Sequence, residues 1–350
     1  MEAVTESDRG SVVQRADVDR IVGFWIPIAS LWAMVSLTGS GILGAGAAIP
    51  MWVQLIPFAL SAVFLGMPHG ALDGIVVARL VGRPFLSRRV LGLLTAYLGV
   101  SALVVVGWVA APLVAFGIFI AITWFHWGQG DLSHMRITGA GAHLDTRFRR
   151  VTALASRGAI PMLAPMVWFP EEYRATYAAC VAPFAGSIPS VSGVGWQTAS
   201  LAAAVGLITL IGLHSAAVIP KLATDGREVA VDLLELGTLV AFFASVPAIL
   251  AVGVYFCLWH SIRHIYRVAA GAGQSDEPTR WSDIGRTFID SAPLTILALI
   301  LCAWLGYAAL GSGAGGMDWL GIYLVAISAL TVPHVLVILW LDRVESVWRT

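Results

Sequence analysis

The sequence predicts an all-α polytopic membrane protein, with about ten transmembrane helices in one bundle and both termini in the cytoplasm. Three observations carry that expectation. Only 12% of the 350 residues are charged and 58% are hydrophobic, with a mean hydropathy of +0.82. A soluble domain carries about 25% charged residues, so this chain cannot coat a globule of its size with polar side chains. The apolar runs are continuous rather than alternating, which favours helices over barrel strands. The basic residues gather at one set of span ends. An ordinary cytosolic enzyme and a disordered chain are excluded by composition. A nucleic-acid binder is excluded by the balance of Lys+Arg (21) with Asp+Glu (21).

A span needs about 20 mainly apolar residues. Residues 1–20 read as a polar tail. They mix Glu2, Glu6, Asp8, Asp17 and Asp19 with Arg9, Arg15 and Arg20, unlike the basic start and apolar core of a cleaved signal. Spans follow at 21–40, 50–69, 90–108, 112–130, 151–169, 195–217, 229–246, 247–268, 292–311 and 318–341. The seventh and eighth meet tightly at Val246-Pro247. Residues 21–341 thus form one transmembrane domain, with 342–350 as a short C-terminal tail. The polar segments 131–150, 170–194 and 270–287 are too short for an extramembrane domain. With ten spans, every basic residue except Arg157, inside span five, and Arg174 falls on one side. That side is cytoplasmic by the positive-inside rule, which makes this a multi-pass protein of the cell membrane. Cys180, Cys257 and Cys302 stand singly and support neither a zinc ribbon nor a disulfide framework.

Polar residues inside apolar spans are the informative ones. Of the 8 histidines, His134 and His143 fall in a loop and read as solvated. His69, His126, His214, His260, His264 and His334 all lie in even-numbered spans, about 20–28 Å from the outer start at helical rise. They form one layer in the cytoplasmic half of the bundle. In Leu258-Trp259-His260-Ser261-Ile262-Arg263-His264, the H-x3-H spacing puts two imidazoles on one helical face, suited to a single metal. The bland alternative is a membrane-edge pair beside Trp259 and Arg263. His69 lies in Pro68-His69-Gly70-Ala71-Leu72-Asp73, where Asp73 would accept the second ring N–H of His69 and fix its tautomer, or serve as an interface carboxylate. His126 stands among Trp124, Phe125 and Trp127, read as an interfacial belt or a pocket wall. His334, after Pro333, reads as a support to the ligands or as pocket lining, and His214 as structural. Asp232 and Glu235, on one face of span seven, would orient histidines or pair with Arg263 or Arg267.

Neutral imidazoles suit Zn, Cu, Fe and Ni. Zinc hydrolases act mostly on polar substrates, and no Ser-His-Asp arrangement, P-loop or GxGxxG-type cofactor loop is convincing. Iron with open positions for dioxygen suits an apolar substrate dissolved in the membrane. The ordered set Pro68-His69-Gly70-Ala71-Leu72-Asp73, Phe125-His126-Trp127-Gly128, Leu258 to His264 and Val332-Pro333-His334 resembles the Brp/Blh family of microbial β-carotene 15,15'-dioxygenases. The resemblance runs from span two to span ten. It implies a multispan Fe(2+) enzyme that cleaves β-carotene with dioxygen at its central double bond, giving two retinals for microbial rhodopsins. It implies His69, His126, His260 and His264 as iron ligands, with no catalytic residue beyond them. A retinal-binding rhodopsin is then a candidate partner. The carotenoid would enter sideways from the lipid bilayer into a slot lined by residues such as Trp124, Phe125, Trp127, Tyr255, Phe256 and Trp259.

Rival readings predict different patterns. A transporter or ion-conducting protein would string polar residues through the full depth of the membrane, whereas here they cluster at one level. A b-type cytochrome needs paired histidines on facing helices and would show a haem spectrum. A structural partner of a rhodopsin leaves the histidine layer without a reason.

Overall fold

Lipid offers no partner to a backbone N–H or C=O, so a spanning chain satisfies both within helices. The computed structural model describes residues 20–42, 49–185, 193–270, 281–310 and 315–348. Apart from Arg20, the expected N-terminal tail lies outside them. Every regular element among the described residues is helical: α1 (Ile21–Gly39), α2 (Met51–Val81), α3 (Arg88–Ala110), α4 (Pro112–Ile137), α5 (Arg147–Trp168), α6 (Pro170–Ala185), α7 (Gly193–Ala223), α8 (Gly226–Ser245), α9 (Ala248–Ala269), α10 (Trp281–Leu310) and α11 (Gly316–Val344). The all-α polytopic class expected from the sequence is what the chain adopts, and 8 of these helices are long and apolar enough to cross a membrane unaided. The other two expected spans, α5 and α8, fall short of that, α8 through Glu228, Asp232 and Glu235 and α5 through Arg157 and a less apolar composition. They pack on each other and among α1, α4 and α7, so their polar faces meet protein instead of lipid.

The corners follow from local chemistry. Ala111 (φ −151°), Phe169 (φ −132°) and Val246 (φ −109°) each precede a proline and leave the helical conformation, as the clash with the proline ring requires. Ser87 and Thr146 cap α3 and α5 through their hydroxyls, which accept from Val90 N–H and Arg149 N–H. Asp145, exposed just before α5, is pulled down to about 2 by Lys221 and then Arg149, tying the start of α5 to the end of α7. Two segments expected as polar connections are largely helical. Within 131–150, α4 continues to Ile137 because Asp131, Ser133 and His134 are buried. Within 170–194, α6 packs along α11, where Gly321 meets the Ala179 carbonyl so closely that a Cβ would collide with it.

The helices α2, α4, α9 and α11 run in one direction, as their cross-contacts show. Between α2 and α11, Ser61 Oγ lies 3.5 Å from Tyr323 Oη, and the His69 and His334 rings are 5.2 Å apart. Between α4 and α9, Trp127 meets Tyr255 at 4.8 Å and Asp131 meets Arg263 at 3.0 Å. Helices α4 and α5 approach backbone to backbone at Gly128 against the Leu154 carbonyl and Gly158 against the Trp124 carbonyl, the small-residue packing usual in membranes. That approach carries Arg157 into the interior, where it is wholly buried. Its guanidinium donates to Asp131 Oδ2 (3.0 Å), Asp232 Oδ1 (2.6 Å) and Glu235 Oε2 (2.8 Å). Arg263 completes the network, donating to Asp131 Oδ1 (3.0 Å) and Glu235 Oε1 (2.5 Å) while lying 3.9 Å over the Trp259 ring.

Removing one partner from a buried ion network leaves uncompensated charge and costs about 3–5 kcal/mol. Arg157→Met is therefore expected to lower the melting temperature of the detergent-solubilised protein steeply. An unchanged melting temperature would show that the three carboxylates do not need this cation.

Candidate metal centre

Local irregularity places the histidines. The chain of α2 makes a π-helical turn at Ser61–Leu65, closed by Gly66 N–H to Ser61 O, and His69 follows one turn later. The chain of α9 makes another at Phe256–Ser261, which contains His260. The two turns face each other, and Gly66 packs against the Phe256 ring where any Cβ would intrude. Such turns insert a residue into a helix and re-aim the side chains beyond it, which is why they recur at functional sites.

Five imidazoles converge there. One nitrogen each of His69, His126 and His260 lies within 4.8 Å of the others. His334 packs on His126 (4.7 Å between ring centroids), His69 (5.2 Å) and His264 (5.2 Å). His264 also meets His69 at 5.3 Å and stacks 6.4 Å from His260. All five are buried. The Nε2 atoms of His126, His260, His264 and His334 have no hydrogen-bond partner. A buried polar atom without a partner is costly, and a lone pair kept free in this way is what a cation needs. The residues present therefore fit a metal with nitrogen ligands.

The Nδ1 atoms of His334, His126 and His69 meet partners outside the cluster. His334 Nδ1 donates to Asp73 at 2.8 and 2.9 Å, and Tyr97 Oη donates to Asp73 Oδ2 at 2.9 Å. His126 Nδ1 faces Gln129 Oε1 at 3.4 Å, and Gln129 donates to Asp342 Oδ2 at 2.7 Å. Asp342 also takes Ser133, Trp348 and Arg267. His69 Nδ1 lies 3.3 Å from Ser261 Oγ. Partners of this kind fix tautomer and ring angle in metal sites.

Several expectations change. Asp73 orients His334, not His69, because α11 brings His334 to the carboxylate while Ser261 takes the His69 ring. Asp232 and Glu235 touch no histidine of the convergent group, and of the two roles expected for them the pairing with Arg263 is the one Glu235 takes. Glu235 pairs with Arg263 and Arg157, and Asp232 with Arg157, His143 (2.7 Å) and His214 (3.0 Å). His143 and His134 are buried, not solvated, because α8 and α1 cover them. His214 leaves the layer for Thr152 and Asp232. Tyr97, Gln129, Asp131 and Asp342 escaped the sequence reading. For Asp131 the signal was at hand, a carboxylate five residues beyond His126 in an apolar run. For Tyr97 there was none.

One side of the histidine layer is apolar. A cavity is lined by His69, His126, His260 and His334, by residues that precede them on the same parallel helices, from Phe58, Phe116, Ala248 and Leu320 onward, and by Pro161 and Met162 of α5 and Tyr173 and Thr176 of α6. Trp127 and Phe256 line it and stack 6.1 Å apart, and Phe256 stacks on His260 at 6.2 Å. The other expected slot residues lie elsewhere. Tyr255 and Trp259 are fully buried in the core, where Trp259 Nε1 bonds Asp131. Trp124 donates to Ala155 O toward α5, and Phe125 is not among the lining residues. The other side of the layer is the charged network of Asp131, Arg263, Arg267 and Asp342.

Comparison with known proteins places the chain in a family. The β-carotene 15,15'-dioxygenase family model matches residues 60–342. The chain is 35% identical over 325 residues to "Probable beta-carotene 15,15'-dioxygenase Blh" of Halobacterium salinarum, covering 90% of this chain and 92% of that protein. It is 27% identical over 335 residues to the protein named Brp in the same species, covering 91% and 92%. It is 23% identical over 300 residues to "Beta-carotene 15,15'-dioxygenase" of uncultured marine bacterium 66A03, covering 85% and 98%. No solved structure matches the chain. The match spans both π-helical turns and all five convergent histidines, and the chain belongs to the β-carotene 15,15'-dioxygenase family.

Proposed function

We propose that this protein cleaves β-carotene at its central double bond with dioxygen, at a non-haem Fe(2+) held by His69, His126, His260 and His264. The observation that carries the reading is the set of unpaired, buried ring nitrogens at the end of an apolar cavity. The reaction balances without another reductant. The central C=C bond breaks, and each oxygen atom of dioxygen becomes the aldehyde oxygen of one retinal. Bound iron supplies the activation of dioxygen. The protein's own residues do the rest. Asp73 contributes negative charge beside a centre otherwise built from neutral rings, and Tyr97 and the Gln129–Asp342 pair hold the outer faces of His334 and His126. Trp127 and Phe256 offer flat aromatic faces to a rigid polyene, and such faces stabilise transient positive charge on it. The cavity walls exclude water from the reacting bond.

The substrate has no useful aqueous solubility and enters from the bilayer. The arginine distribution favours a cell-membrane location with cytoplasmic termini. Retinal released into the same bilayer is then at hand for a retinal-binding rhodopsin.

Expression in a β-carotene-accumulating host tests the function. Loss of orange colour with retinal appearing is expected for the unmutated chain, and neither for His126→Ala. Unchanged carotene, with the protein present in the membrane, would sink the substrate assignment. Metal analysis tests the centre. Purified protein is expected to hold iron, to lose activity on chelation and to regain it with Fe(2+) but not Zn(2+); activity that survives complete chelation would exclude a metal. Asp73→Asn keeps an acceptor for His334 but removes the charge. Loss of such an outer partner typically weakens metal binding about 10–100-fold, so equilibrium iron titration should show a drop of that order, and an unchanged affinity would detach Asp73 from the centre.

A further inference from the structure

The cavity has a depth, and the depth is legible in residue numbers. Its wall residues run on α2 from Phe58 to His69, on α9 from Ala248 to His260 and on α11 from Leu320 to His334. The histidine comes last in each case, and the three helices are parallel. At helical rise these stretches are about 16, 18 and 21 Å long. On these three helices the far end is walled by Phe58, Ile249 and Leu320, which are buried in one apolar cluster packed against Leu55, Met317 and Tyr323. The near end is shut, since the ion pairs of Asp131, Arg263, Arg267 and Asp342 lie directly past the histidines. An apolar ring does not enter a buried ionic network, where it would strip charges of their partners.

A trans polyene advances about 1.2 Å per bond, given bond lengths close to those of the peptide backbone. One half of a symmetric C40 carotenoid, nine chain bonds and an end ring, therefore reaches about 15 Å on the same bond lengths. The cavity holds one half and not the whole. From this geometry we infer that the cavity is a ruler. One end ring stops against Phe58, Ala248, Ile249 and Leu320, and that stop places the central double bond at the histidine layer. The second half leaves through the wall where Ile120, Ile327 and Thr331 are only half-buried. The position of cleavage is thus set some 16–21 Å from the metal ligands by helical rise, at residues that touch neither oxygen nor the reacting bond. This inference rests on the function proposed above.

The test changes the stop without touching the histidines. Phe58→Ala deepens the cavity and Ala248→Phe shortens it. Each chain is produced in β-carotene-containing membranes, its products are sized by chromatography with mass detection, and its bound iron is measured. The unmutated chain should give retinal alone. Each variant should keep its iron and give an unequal pair of carbonyl products, one longer and one shorter than retinal. Where Ala248→Phe is inert toward β-carotene, it should still cleave a derivative truncated to an aldehyde at one end, whose shorter half fits. Retinal as the only cleavage product of both iron-loaded variants, or inertness of Ala248→Phe toward both substrates, overturns the ruler. Absence of cleavage by the unmutated chain would instead count against the function itself.

Discussion

A polar atom inside a lipid-embedded bundle must find its partner within the bundle, and the rest of this structure depends on that constraint. Arg157 shows the rule obeyed. It reaches three carboxylates from α4 and α8, and those carboxylates reach Arg263, Trp259, His143 and His214 in turn. The five convergent histidines show the rule suspended, since four of them leave Nε2 without a partner. The contrast with His214, which has Thr152 on one nitrogen and Asp232 on the other, separates a structural imidazole from one kept free for a cation. Neither burial nor spacing makes that separation, because His214 is as buried as the rest.

The charged network and the histidine layer are adjoining floors of one construction. Asp131 lies just over one turn beyond His126, and Arg263 is flanked by His260 and His264. The ion pairs that hold α4, α8 and α9 in register therefore hold the rings in register too. This explains why so costly an assembly sits next to the histidine cluster. A buried ion network is weak as a source of stability, but it tolerates little sliding, and a metal site needs its ligands placed to within a fraction of an ångström. The network also sets the polarity of the site, with charge on one side of the rings and hydrocarbon on the other.

Much of this was legible in the sequence. Charge content and continuous apolar runs indicated the class, and the Val246-Pro247 step indicated one corner. The even-numbered placement of histidines pointed to one layer because parallel helices of similar length bring equal depths together. What was not legible shares a physical cause. Helix α6, with Glu171, Glu172 and Arg174 in its first turns and Pro183 near its end, has the composition of a loop. It becomes a helix only where Gly321 and its neighbours on α11 receive it. His143 and His134 sat in a polar stretch, and only the fold of α8 and α1 over them makes them interior. The Asp73–His334 bond joins positions 261 residues apart, a distance over which local spacing carries no information. Spacing predicts Asp73 on the face of His69, yet the histidine that bonds this carboxylate comes from another helix.

The aromatic residues teach the same lesson in reverse. Six of them near the histidine motifs read alike as slot lining, because sequence proximity to a ligand says nothing about which side of the helix a ring occupies. In the fold they divide by direction. Trp127 and Phe256 face the cavity on the approach to the histidines. Tyr255 and Trp259, next to Phe256 or one turn from it, point into the core, where the Trp259 indole becomes part of the charged network. The residues that complete the cavity instead come from far upstream on each helix, at Phe58, Ala248 and Leu320, because helices that run parallel carry a cavity along their length rather than around one turn. A long, stiff, apolar substrate is read along such a channel by its extent, for want of polar groups by which it could be read otherwise.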